Sequence, residues 1–205
     1  MDSYVVVDLE TTGLSTFKDE IIEIGAWKVK DQVVVEKFCT LVKPVRYISR
    51  ECQSITGITN DMLRSELGIE DLMPSFVDFC EDLPFLAHNI NFDYGFLKNT
   101  CERLSLDITL KGCRTGIDTL DLCRKYLRGS ISNKLCNVAE YFKINLQSNE
   151  GFHRASYDSY ITKLVYDRLI LLYPNIDAII RPTLIGVKDD SNFGKPTNTG
   201  VLSFE

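Results

Sequence analysis

No C-x-x-C pair occurs among the seven cysteines of this 205-residue chain, and Cys101, Cys113, Cys123 and Cys136 lack zinc-site spacing. The count is odd and the residues are scattered, which argues against a disulfide framework and fits free thiols in a reducing cytoplasm. No stretch approaches the roughly 18 consecutive apolar residues of a membrane span. The start, MDSYVVVDLE, has no basic segment followed by an apolar run and a small-residue cleavage site, so no secretory signal is expected. Positive charge is short as well: 23 Lys and Arg stand against 29 Asp and Glu, a net −6. Proteins that coat nucleic acid carry a basic footprint. This balance favours brief, terminal contact over long-range binding, is compatible with a grip on phosphate through metal ions that fill a carboxylate cluster, and leaves a substrate-free scaffold open as well. No internal repeat is visible. A cytoplasmic protein without membrane contact is expected.

What is present suits one ordinary domain, with 44% hydrophobic and 25% charged residues. YVVVD (4–8) reads as a central strand buried on both faces. EIIEIGAWKVK and QVVVEKFCTLVKP, separated by Lys30-Asp31-Gln32, read as an antiparallel hairpin. The polar segment 49–63 predicts one or two short helices, with Gly57 at a tight bend. Apolar spacing predicts a helix over 70–82, and Pro84 then precedes a short strand, FLAH, ending at His88. A helix over 92–104 capped by Asn91, a strand within 108–117, and helices over 118–127, 133–142 and 155–173 complete the domain. That order predicts an α/β fold, a mixed sheet with helices on its faces. Residues 1–173 are expected to form the domain. Residues 174–205 read as a C-terminal extension, its first apolar stretch packed on the domain and its Gly-, Asn- and Thr-rich part loop-like.

Three short motifs carry chemistry. Asp8 and Glu10, two apart at a strand end, point to one face of the sheet. Adjacent carboxylates repel and attract protons or hard divalent cations, although a polar strand end leading into a loop has the same look. Asp93 in AHNINFD sits where a helix begins and its dipole favours an acid. His88 and Asn89 before it suit hydrogen bonding within the loop. His153 and Asp158 would lie about 140° apart on a continuous helix, at about 100° per residue. They converge only if His153 precedes the helix and Asp158 lies in its second turn. A histidine can then deprotonate water while the aspartate completes a metal cage.

Together, DLETTGLS, DEIIEIGAWKV, ITGIT, AHNINFDYGFL, IDTLDLCR and HRASYD make residues 3–172 resemble the DEDD exonuclease superfamily. The resemblance is to its His-x4-Asp subgroup, and most of all to the DnaQ-like proofreading exonucleases of bacterial DNA polymerase III. It implies a ribonuclease H-like fold, with a five-stranded mixed sheet. It also implies that Asp8, Glu10, Asp93 and Asp158 hold two Mg²⁺ or Mn²⁺ ions. In that family scheme Asp8 bridges ions roughly 3.5–4 Å apart that clamp the attacking and leaving oxygens, and His153 is the general base. The Thr11-Thr12-Gly13-Leu14 turn would receive the terminal nucleotide, with Leu14 against a base, although Leu14 facing the core is an equal reading. His88 and Asn89 join the substrate-binding set. Ser156, Tyr157 and Ser159 depart from the small or apolar residues more common in the family.

The expected activity is release of nucleoside monophosphates from 3′ ends of single-stranded DNA, in proofreading or repair, with a DNA polymerase subunit as a possible partner. RNA 3′-end trimming is the nearest alternative. A non-catalytic nucleic-acid-binding or partner-docking module is the alternative from another class.

Overall fold

The computed structural model describes residues 3–106, 115–127, 132–144, 153–176 and 183–184. Strand β1 (Ser3–Thr11) is central and antiparallel to β2 (Ile21–Lys30), which is antiparallel to β3 (Val33–Leu41). The β2–β3 turn is tight because Asp31 and Gln32 both take positive φ, as residues of a two-residue hairpin turn must. Short helices α1 (Arg50–Thr56) and α2 (Asn60–Leu63) follow, joined through Gly57, whose φ of 68° places it in the left-handed region. Helix α3 (Ile69–Cys80) leads to β4 (Phe85–Ala87), which lies parallel to β1 on the side away from β2. After α4 (Ile90–Arg103), β5 (Thr115–Asp118) runs parallel to β4. Helices α5 (Thr119–Tyr126), α6 (Leu135–Tyr141) and α7 (Ala155–Leu172) follow. A two-residue strand β6 (Thr183–Leu184) pairs antiparallel with β5. The five principal strands give the expected mixed sheet, and β6 adds a short edge; the order is β3-β2-β1-β4-β5-β6.

Alternation along β1 divides the core. Val5, Val7 and Leu9 join the layer with Met73, Phe76, Phe96 and Leu97 of α3 and α4. Tyr4 and Val6 face the other way, with Leu86, Ile117 and Tyr166 of α7. Both faces of β1 are covered, hence its unbroken apolar run. A further cluster ties α5, α6 and α7 together and includes Ile176, 1% exposed, just beyond α7. Among the described residues no helix is long and apolar enough to cross a membrane.

Two boundaries differ from the sequence reading. Helix α4 begins at Ile90, two residues early, because Asn89 rather than Asn91 occupies the cap with φ 78°. The strand expected within 108–117 occupies 115–118, and positions 108–114 lie outside the described residues. Most of the 174–205 extension also lies outside them.

Candidate active site

The carboxyl end of β1 carries the first two acids. Asp8 and Glu10 follow Tyr4 and Val6 in the alternation, so they emerge on the α7 face of the sheet. The β1–β2 register shifts between Glu10 and Thr11, and this irregularity turns the chain out of the sheet beyond the second acid. In that register Glu10 lies opposite Glu23 of β2.

Asp93 arrives from the parallel neighbour. Strand β4 ends at Ala87 and α4 starts at Ile90, so the first turn of α4 comes to the end of β1. Asp93 is 2% exposed and accepts a hydrogen bond from Leu9 N at 3.1 Å. That bond fastens α4 to β1 between Asp8 and Glu10. His88 has both ring nitrogens engaged, one with Thr119 Oγ1 at 2.9 Å and the other with Asn133 O at 2.8 Å. Asn89 donates its backbone N–H to Asp118 Oδ1 at 2.9 Å. Both residues therefore brace the turn that leads from β4 into α4, whose first turn carries Asp93.

Helix α7 brings the last pair. His153 stands before the helix, exposed, with φ 71°. Asp158 lies in the first turn of α7, not the second, and its Oδ2 accepts the His153 backbone N–H at 3.1 Å. That backward bond folds the residues before the helix over its first turn. It removes the 140° separation that a continuous helix would impose. Potential ligand atoms of Glu10, His153 and Asp158 all lie within 4.8 Å of one another.

The electrostatics follow from crowding acids under the sheet. Burial raises the Asp8 carboxyl well above the ordinary carboxylate range, and Asp93, Asp158, Glu10 and Glu23 add to the rise. Glu10 is pushed up to about 8, by burial first and then by Asp158 and Glu23, against the opposing charge of Arg154. Burial also lifts Asp158 to about 6, although the His153 N–H bond and the His153 charge pull it down. Asp93 is raised chiefly by burial, with the backbone N–H groups of Asp93 and Leu9 acting in the opposite sense. Oxygen Oδ1 of Asp158 is buried and has no hydrogen-bond partner among the described residues. An unpartnered buried oxygen amid mutually repelling carboxylates is the donor set a hard divalent cation satisfies. The residues fit that group.

The turn after β1 is braced around Asp19. Thr11 Oγ1 donates to Gly13 O at 2.6 Å, and Asp19 accepts from Ser15 N at 2.8 Å and from Thr12 Oγ1 at 3.4 Å. A Cβ at Gly13 would meet the Asp19 carboxylate at 2.5 Å, so a side chain there would displace Asp19 from its braces. Asn99 of α4 holds the same turn through Thr16. Leu14 is 73% exposed, so the core-facing reading of this residue fails and its apolar side chain is presented to solvent.

Sequence reasoning missed two residues here. Glu23, 3% exposed, accepts from Arg154 Nε at 3.2 Å and Nη2 at 2.9 Å, and from Ala155 N at 2.9 Å. The available signal was an acid inside the apolar run EIIEIGA, at a position that alternation assigns to a buried face. Arg154 between two motif residues gave no signal.

Three comparisons bear on this arrangement. A family model described as Exonuclease, RNase_T, matches residues 5–166. The PolC-type DNA polymerase III of Thermotoga petrophila is 38% identical over 202 residues, 98% of this chain. This chain spans 14% of the length of that polymerase. Among solved structures, Exonuclease X in complex with 5′-overhanging duplex DNA is 28% identical with a TM-score of 0.65, covering 89% of this chain and 96% of that one. The nuclease domain of 3′hExo, a DEDDh family member bound to rAMP, has a TM-score of 0.70 at 18% identity, covering 84% of this chain and 93% of that one, and supports the fold alone.

Proposed function

The chain belongs to the RNase_T exonuclease family, among the DnaQ-like 3′→5′ exonucleases, and we propose that it hydrolyses the terminal phosphodiester of single-stranded DNA, releasing nucleoside monophosphates in proofreading or repair. The observation that carries this reading is the convergence of Glu10, His153 and Asp158 within 4.8 Å, on the face of the sheet that also carries Asp8. Asp8, Glu10, Asp93 and Asp158 would hold two divalent cations, Mg²⁺ or Mn²⁺. When bound, such cations supply charge stabilisation at the attacking and leaving oxygens of an in-line displacement.

The remaining roles belong to the chain itself. His153, exposed beside the acids, takes the proton of the attacking water. The braced Thr11–Leu14 turn receives the terminal nucleotide, and Leu14 offers its apolar face to the base. Asn89 and His88 hold the entry to α4, and with it Asp93, in place. A net charge of −6 gives little electrostatic hold on a long polyanion, which suits action at an end. Similarity to a PolC-type polymerase makes a DNA polymerase the partner of choice.

The test is nucleotide release from matched 3′-labelled and 5′-labelled DNA and RNA oligonucleotides, with Mg²⁺ and with EDTA, for the unmutated chain and Asp8→Ala. Expected is Mg²⁺-dependent release from the 3′ end, faster on DNA, and lost in Asp8→Ala while the far-UV circular dichroism is kept. Faster release from RNA would assign the chain to RNA trimming. Undiminished turnover by Asp8→Ala would overturn the site.

A further inference from the structure

Five carboxylates converge on this site, and one of them has a dedicated counter-charge. Glu23 is gripped by the Arg154 guanidinium through Nε and Nη2, and its Oε2 also accepts the first backbone N–H of α7, from Ala155 at 2.9 Å. A buried ion pair contributes little net stability relative to apolar residues of the same volume. Its location is therefore the informative property. Resting on the function proposed above, we infer that the Glu23–Arg154 pair is a positioning device for His153. It fixes the backbone at 153–155 from strand β2, so that the imidazole stands beside Glu10 and Asp158.

Three features require such an anchor. First, His153 has a φ of 71°, a left-handed conformation that a non-glycine residue keeps only where its surroundings over-determine it. Second, the N-cap residue Arg154 makes no side-chain cap bond to its own helix, and Glu23, 132 positions from Ala155, satisfies the helix N–H instead. Third, Gly25, two residues beyond Glu23 on the same face, lets the start of α7 rest on the β2 backbone. A Cβ there would stand 2.1 Å from both Ala155 C and Ala155 O. Strand β2 thus holds α7 at two points, one polar at Glu23 opposite Glu10 and one steric at Gly25 opposite Asp8 in the register. His153 is the residue next to the gripped arginine, so rotation of the 153–155 backbone would swing the imidazole away from the acids. Misplacement of a reacting group by about 1 Å can cost on the order of 10²-fold in rate. Glu23 and Arg154 are positioning residues in this account and touch no substrate.

The experiment removes both charges at once, by Glu23→Gln with Arg154→Met, so that neither charge is left buried alone. Hydrolysis of the p-nitrophenyl ester of thymidine 5′-monophosphate with Mg²⁺ is followed for the full chain, in the unmutated and His153→Ala backgrounds. Expected is a fall in kcat of about 10- to 100-fold with KM changed less than about threefold. In the His153→Ala background the same pair change should lower kcat less than about threefold, since no imidazole remains to misplace. An equal factor in both backgrounds, or an unchanged kcat, overturns the inference. Arg154→Lys keeps a cation on Glu23 and loses the fork. Its smaller loss should likewise vanish without His153, and a loss that persists there overturns the inference even where the double change prevents folding. Failure of the underlying function reads differently, because the unmutated chain would then release no nitrophenol with Mg²⁺.

Discussion

Glu10→Gln should make the metal-free protein more stable at alkaline pH and not at acid pH. The Glu10 carboxyl is pushed from its ordinary 4.5 up to about 8, mainly by burial and then by Asp158 and Glu23. The group ionises less readily in the folded chain than in the unfolded one, so its contribution is fully present below about 4.5 and is lost as pH rises towards about 8. Roughly 3.5 decades at about 1.4 kcal/mol each bound that loss at about 5 kcal/mol. Relaxation of the site and entry of water around the ionised acid offset part of that penalty, and a net effect of about 2–3 kcal/mol is expected. For a chain of this size that is roughly 4–12 °C in Tm. Thermal unfolding in EDTA at pH 4.5 and pH 8.5 measures it. The variant should melt within about 2 °C of the unmutated protein at pH 4.5 and well above it at pH 8.5. Mg²⁺ should reverse the order at pH 8.5, because a cation held by the proposed unmutated site would stabilise the folded state alone. A variant that melts lower than the unmutated protein at pH 8.5 in EDTA, or a gain independent of pH, refutes the reasoning.

Three further outcomes are expected. His153→Ala should slow hydrolysis by about 10²–10⁴-fold while titrating with Mn²⁺ almost as the unmutated chain does; a loss of cation affinity as severe as that of Asp158→Ala would make His153 a ligand. Gly25→Ala drives a methyl group into the Ala155 backbone. It should cost about 1–3 kcal/mol in urea unfolding and lower kcat more than tenfold, and retained activity would show that α7 can shift without consequence. Truncation after Tyr173 removes β6 and Ile176 from the cluster of α5, α6 and α7. The Tm should fall by several degrees, at roughly 1.5–3 kcal/mol for the buried isoleucine, with cleavage of short oligonucleotides retained; loss of cleavage in a folded truncation would place the extension within the active site.

Local pattern determined much of this protein. The doubly buried run at Val5–Val7, the hairpin turn at Asp31-Gln32 and the periodicity of α3 and α7 are set within a few residues of chain, so sequence alone reports them. The same holds for Asp8 and Glu10, whose shared face follows from the two-residue repeat of a strand. The chemistry proposed for the motifs could be read ahead of the fold because it rests on residue type and order.

What needed the folded chain were contacts made across long sequence separations. Asn91 was the N-cap expected from sequence, yet the helix begins at Ile90, because Asn89 can take positive φ where β4 ends and bonds to Asp118, 29 residues away. Leu14 was equally readable as core or surface, and the Asp19 braces together with Thr16–Asn99 settle it outward. The separation of His153 and Asp158 forbade a shared helical face, and the bond from the His153 N–H to Asp158 closes the gap. The pairing of Glu23 with Arg154 is not written in either stretch that contains them, because an ion pair spanning 131 positions exists only after β2 and α7 have packed. Sequence chose which groups could do the proposed chemistry; packing of α4 and α7 onto opposite faces of the sheet, so that both reach the carboxyl end of β1, decided that they would meet, since convergence is a property of the space between elements and is written in no single one of them.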